Sequence, residues 1–213
     1  MEAVTLIGQG WSVLRREAEA YLAQAPPETY DLGTAWYEQP AWEVRFFAVS
    51  VLGKLAAHEA RALPFLSERC GDDPAWQVNE ALAMAFDDYC AAIGYERALP
   101  QIRAWLRAPS PNLRRAVSEG LRPWTAAKRA YFARNPQVAI DLLGTLKDDP
   151  SRYVQESVGN ALRDIGRKDP ALVLAALRAW IAESPAAAPR RTIARYALKQ
   201  AATADLSLRT LFE

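Results

Sequence analysis

The sequence predicts an all-α protein assembled from repeated helix pairs, and three observations carry that expectation. Strand signals are sparse: no alternating Val/Ile/Thr run is bounded by an Asn-Gly or Asp-Gly turn. Ala- and Leu-rich stretches with apolar spacings of three and four run between fourteen prolines, which cut the chain into about ten to twelve short helices. Several segments also begin alike. These are Pro40-Ala41-Trp42-Glu43-Val44-Arg45, Pro74-Ala75-Trp76-Gln77-Val78-Asn79, Pro111-Asn112-Leu113-Arg114-Arg115 and Pro150-Ser151-Arg152-Tyr153-Val154-Gln155, with Pro189-Arg190-Arg191-Thr192-Ile193 as a weaker fifth.

With Val44, Val78, Leu113 and Val154 as markers, the repeat period is 34, 35 and 41 residues. Periods of this size suit HEAT-type units, two antiparallel helices each, stacked into a curved α-solenoid with a concave groove. The expected organisation is one repeat domain over residues 1–213. Each unit is expected to start its second helix at the Pro or Asp-Pro turn, where Pro is tolerated at the first helical position.

The register then assigns faces. Positions +3, +4 and +7 from each marker share one side of a helix. They are Phe47, Ala48, Val51; Ala81, Leu82, Ala85; Ala116, Val117, Gly120; and Ser157, Val158, Ala161. Small or apolar throughout, this stripe is predicted core. Positions +2, +6 and +9 are Phe46, Ser50, Gly53; Glu80, Met84, Asp87; Arg115, Glu119, Arg122; and Glu156, Asn160, Arg163. The second stripe is polar in the last three copies. Stacked second helices would place Glu80, Arg115, Glu119, Arg122, Glu156, Asn160 and Arg163 along the groove.

Composition narrows the chemistry. Hydrophobic residues are 51% and charged residues 24%, which is globular and not disordered. Two cysteines, Cys70 and Cys90, and one histidine, His58, exclude a disulfide framework, a four-ligand zinc site and multi-His catalysis. No apolar run approaches bilayer-spanning length, and Met1–Gly10 has neither a basic nor a long apolar region of a signal peptide. A soluble cytoplasmic monomer with reduced thiols and no cofactor or metal is therefore expected. The net charge of +1 is an average over unlike segments. Residues 1–96 are acidic. Residues 97–134 carry nine Lys/Arg against Glu119 alone, and a smaller basic cluster lies at Arg190, Arg191, Arg195 and Lys199. Such local charge suits phosphate binding on an otherwise neutral chain.

The strings Trp76-Gln77-Val78-Asn79-Glu80, Asn112 to Pro123 and Tyr153 to Asp164 together resemble the DNA alkylation repair glycosylases of the AlkD/AlkC superfamily. Glu43-Val44-Arg45-Phe46-Phe47-Ala48 resembles the early repeat of that family, and the likeness spans about Trp11 to Lys199. The resemblance implies a HEAT-like solenoid that hydrolyses the N-glycosidic bond of alkylated purines in double-stranded DNA. In the AlkD branch a Trp, and an Asp four residues later, contact the lesion deoxyribose, and an Arg of the next repeat grips the backbone. The matching positions here are Trp76, Glu80 and Arg115. A second Trp of that branch matches Asn160, and the Arg114-Arg115 to Arg122-Pro123 string is closer to the AlkC branch.

The implied chemistry needs modest tools. A purine alkylated at N3 or N7 is cationic, so its glycosidic bond is already weak, and its departure leaves an oxocarbenium-like sugar. Glu80 would stabilise that cation and hold water, and Trp76 would offer its π-face. Trp and Glu at i and i+4 reach one site, and no flipped-base pocket is required. Arg114, Glu119, Arg122, Trp124, Lys128, Arg129, Asn160, Arg163, Arg190 and Arg191 are the candidate DNA contacts, with Arg114 expected to face solvent or phosphate. Structural alternatives stay open. Trp76 shares its repeat position with Trp42 and could pack between repeats, and Glu119 could pair with Arg115, Arg122 or Arg163. Asp164 could act as a brace. A DNA-structure-binding relative without excision and a protein-interaction scaffold are the alternative functions.

Overall fold

The computed structural model describes residues 6–24, 26–122, 131–132 and 134–199. Eleven α-helices and no strand occur among the described residues. They are α1 (Trp11–Leu22), α2 (Thr29–Tyr37), α3 (Trp42–Leu55), α4 (Ala62–Phe65), α5 (Trp76–Ile93) and α6 (Tyr95–Leu106). These are followed by α7 (Pro111–Gly120), α8 (Pro136–Gly144), α9 (Arg152–Gly166), α10 (Pro170–Glu183) and α11 (Ala188–Leu198). A π-helical turn, Leu66–Cys70, extends α4. The helices gather into two compact units, residues 1–98 and 99–213. In the first, α3 packs between α1 and α5; in the second, α9 packs between α7 and α11. The paired-helix, HEAT-like repeat pattern is thus present in each unit.

The predicted core stripe is buried in all four copies, from Phe47, Ala48 and Val51 to Ser157, Val158 and Ala161. Two close approaches depend on missing side chains. A Cβ on Gly53 would lie 2.3 Å from the Ala85 Cβ, and one on Gly159 would lie 2.4 Å from the Tyr196 Cβ and 2.8 Å from the Ile193 carbonyl oxygen. Gly94, between α5 and α6, has φ +90, a conformation that L side chains rarely adopt.

The expected proline placement holds at Pro111, the first residue of α7. It fails at Pro40, Pro74 and Pro150, which lie two residues before α3, α5 and α9. The reason is visible in two of these turns. Asp73 Oδ1 accepts from the Ala75 amide at 2.8 Å, and Asp149 Oδ1 accepts from the Ser151 amide at 2.9 Å. Each aspartate thus fixes a turn through the following proline before the helix begins.

The residue after each marker closes over its own turn. Arg45 donates to the carbonyls of Gln39 and Pro40, and Arg114 donates to those of Ala108 and Pro109. Asn79 and Gln155 donate to the carbonyls of Asp73 and Asp149. The two arginines do more. Arg45 forks onto Asp73 at 2.8 and 3.1 Å, and Arg114 forks onto Asp149 at 2.6 and 3.0 Å. Each clamp joins one repeat to the turn that opens the next. The side chains of Asp73 and Asp149 are almost fully buried. The hydrogen bonds that Arg45 donates to Asp73 hold its guanidinium above its ordinary pKa despite partial burial. Tyr37 also donates to Asp73, and burial, with the nearby Cys70 and Asp73, pushes its phenol well up.

Cys70 and Cys90 are buried and free, and burial pushes the Cys70 thiol far above the range of a nucleophile. His58 is exposed just beyond the end of α3.

Asp73→Ala is expected to leave the Arg45 charge unpaired and to lower unfolding free energy by about 3 kcal/mol, read from urea denaturation. Gly159→Ala should cost about 1–3 kcal/mol in the same assay, because a buried backbone must shift to admit the methyl.

Candidate functional site

The predicted residues fall in two groups, one per unit. In the first unit, Trp76 opens α5 and Glu80 follows one turn later. Trp76 is 57% exposed, far outside the habit of so large an apolar side chain, whereas Glu80 is half-buried. Trp76 is nonetheless held in place. The Trp11 ring meets it at 5.3 Å and 69°, stacks on Phe46 at 6.1 Å and 22°, and Trp42 meets Phe46 edge-on at 6.4 Å. Farther along α5, Arg15 of α1 forks onto Asp88 at 3.0 and 3.1 Å. Lys54 joins Asp88 at 3.6 Å and Glu19 at 3.1 Å.

Trp76, Glu80, Met84 and Asp88 recur every four residues and share one stripe of α5. Both ends of that stripe are tied to α1, by Trp11 and by Arg15. Side chains of α1 and α5 therefore meet above α3. This explains why Phe46, Ser50 and Gly53, the same stripe of the first copy, are fully buried and contribute no polar groove lining. Trp11 was not among the sequence candidates. The signal for it was present: α1, α3 and α5 each begin with tryptophan, at Trp11, Trp42 and Trp76. Asp87 accepts from the Tyr95 hydroxyl, while its neighbour Asp88 binds Arg15. Among the described residues no group of His, Cys, Asp and Glu could hold a metal ion.

In the second unit the predicted stripe is a braced network. Glu119 accepts from Arg122 at 2.6 Å and from the Ser157 hydroxyl at 2.7 Å, and lies 3.7 Å from Arg115. Arg122 also donates to Asp164 at 2.7 Å, so it links α7 to α9. Burial works against the Arg122 charge, yet Glu119 and Asp164 raise its pKa above the ordinary value. The Ser118 and Ser157 hydroxyls lie 2.6 Å apart between the same helices. Arg115 is only 6% exposed and lies 4.7 Å over the ring of Tyr153, which is itself exposed. Asn160 and Arg163 are half-buried on α9, with Arg163 4.0 Å from Asp164.

Three arginines differ from the expected solvent-facing cations. Arg114 serves the Asp149 clamp, Arg122 serves Glu119 and Asp164, and buried Arg190 serves Asp148 at 2.6 Å and the Trp180 carbonyl. A buried guanidinium needs an anion or carbonyls around it, and these sites supply them. Arg190 in turn holds the Asp148 carboxyl below its usual range. Arg191 is half-buried and Arg195, one turn on, is exposed. Trp124, Lys128 and Arg129 lie outside the described residues. No helix among the described residues is long and apolar enough to cross a membrane.

Comparison with known proteins gives concordant matches. The sequence profile of a family described as DNA alkylation repair enzyme matches residues 2–201. The fold is similar to AlkD2 from Streptococcus mutans, with a TM-score of 0.83 and 38% identity over 92% of each chain. It is also similar to smu.31 from Streptococcus mutans UA159, with a TM-score of 0.81 and 37% identity over 89% of this chain and 92% of that one. YhaZ of Bacillus subtilis (strain 168), described as uncharacterized, is 32% identical over 93 residues, which are 42% of this chain and 26% of YhaZ.

If Asp164 is the brace described, Asp164→Ala should leave Arg122 with Glu119 alone and lower the unfolding free energy by about 1–3 kcal/mol. Calorimetry would read this as a depressed melting temperature; an unchanged melting temperature would remove the brace.

Proposed function

The chain belongs to the DNA alkylation repair enzyme family, and on that premise we propose that it hydrolyses the N-glycosidic bond of cationic N3- or N7-alkylpurines in duplex DNA. The observation that carries this reading is the open face of Trp76 one helical turn from Glu80, on a helix anchored at both ends of that stripe. A cationic sugar needs a negative π-face and a carboxylate, and this pair supplies both. In the proposed step the glycosidic electron pair leaves with the base, which departs neutral. Water adds at C1′ and gives its proton to Glu80. The leaving base already carries positive charge, so no acid has to protonate it. Trp11 is a positioning residue, holding the Trp76 ring from the side. The Arg115–Tyr153 pair is the candidate backbone contact in the second unit. The reaction as written requires no cofactor and no partner subunit.

A second reading is binding to damaged DNA without excision. It is favoured by Asn160 standing at an aromatic position of the AlkD branch.

Duplex DNA carrying 7-methylguanine or 3-methyladenine separates the two. Release of free base is expected from the wild-type chain, with Glu80→Gln losing most of it while keeping its fold. Trp11→Ala should reduce release with unchanged lesion selectivity, and Arg115→Ala should lose release together with some thermal stability. Intact, salt-sensitive binding with no base released would instead support the second reading.

A further inference from the structure

Four arginines of the basic segment are exposed and make no side-chain hydrogen bond or ion pair to any described residue: Arg97, Arg134, Arg103 and Arg107. The last two lie in the second unit, Arg103 in the last turn of α6 and Arg107 one residue past its end. Neither guanidinium is neutralised by a described carboxylate, so both charges are open to a ligand. Arg114 and Arg190, by contrast, each fork onto a carboxylate.

Arg103 and Arg107 border a hollow of about 230 Å³ between α6 and α8. Its floor is apolar, with Leu106 and Leu142 nearly buried. The α8 wall carries Asp141 and Thr145. Gln137 donates to Asp141 at 2.7 Å, and the Thr145 hydroxyl donates to the Leu142 carbonyl at 2.7 Å, so both polar groups are fixed in place. None of the α7–α9 network residues lines this hollow.

We propose that the hollow between α6 and α8 is a phosphate-ester site in which Arg103 and Arg107 hold the phosphate. Two guanidinium groups four residues apart match a tetrahedral anion with several acceptor oxygens. The Asp141 carboxylate repels a second anionic group from the far wall and orients a single phosphate toward α6. The apolar floor accepts the sugar or base beside it. The phosphate ester is either the backbone of a DNA strand or a free nucleotide; the site itself stands independently of base excision, and only the DNA source rests on the repair reading.

Arg103→Ala, Arg107→Ala and the double variant test this, because exposed residues without internal partners leave the fold unchanged, as circular dichroism would verify. For duplex DNA, the double variant is expected to bind more weakly and to show a salt slope, log K against log salt, smaller by about one. Loss of deoxyadenosine monophosphate binding by calorimetry, with DNA binding untouched, would assign the site to a free nucleotide. If the double variant matches the wild-type chain for both ligands, the proposal is overturned. All of these readouts hold whether or not the chain releases a base.

Discussion

The structure hangs on one repeated interaction, an arginine that closes its own helix-opening turn and grips the aspartate of the next. Arg45 does this for Asp73 and Arg114 for Asp149. Each aspartate also caps an amide two residues on, so one carboxylate sets the helix start and the repeat junction together. The clamp alternates along the chain. The second copy has Asn79 and the fourth has Gln155 in place of arginine, and both turn back to their own turn's carbonyl. Ser110, before Pro111, stands where an aspartate would have to be. Copies one and two therefore lock together, as do copies three and four, and the division at residues 98 and 99 falls between the pairs.

This arrangement explains the positions of the functional candidates. In the first unit the clamp holds the turn immediately ahead of α5, which presents Trp76 and Glu80 on its opening turns. Aromatic packing from Trp11 then holds an otherwise exposed ring, and Arg15 secures the far end of the same stripe. In the second unit the Arg114 clamp and the Arg122 brace tie α7 to the repeat that follows. Stiff elements of this kind suit a site whose chemistry depends on preset charge and ring positions. The cost is that several arginines with the right sign for DNA are used internally. Free positive charge is left to residues such as Arg103, Arg107 and Arg195.

Much of this was legible in the sequence. The all-α class, the repeat period and the buried +3, +4 and +7 stripe followed from spacing alone, because a two-helix repeat must bury one face per helix. The polar stripe was legible as a position and illegible as a surface. Periodicity puts Arg115, Glu119 and Arg122 on one side; it does not say that α7 ends before Arg122, or that Glu119 and Asp164 claim the arginine charges. Burial of Phe46, Ser50 and Gly53 was hidden for a similar reason, since it arises from α1 and α5 meeting above α3. The clamp was written at fixed offsets from the repeat markers, Arg45 and Arg114 one residue after theirs and Asp73 and Asp149 five residues before theirs, yet net charge counts treat such arginines as free cations.

The alternating clamps imply that the chain opens as two cooperative units. Native-state hydrogen exchange on Asp149→Ala tests it most directly. Amide protection is expected to fall together throughout the helices of residues 99–199 and to stay at wild-type values in α1 to α5. A uniform loss over both units, or a loss confined to the turn around Pro150, would contradict it.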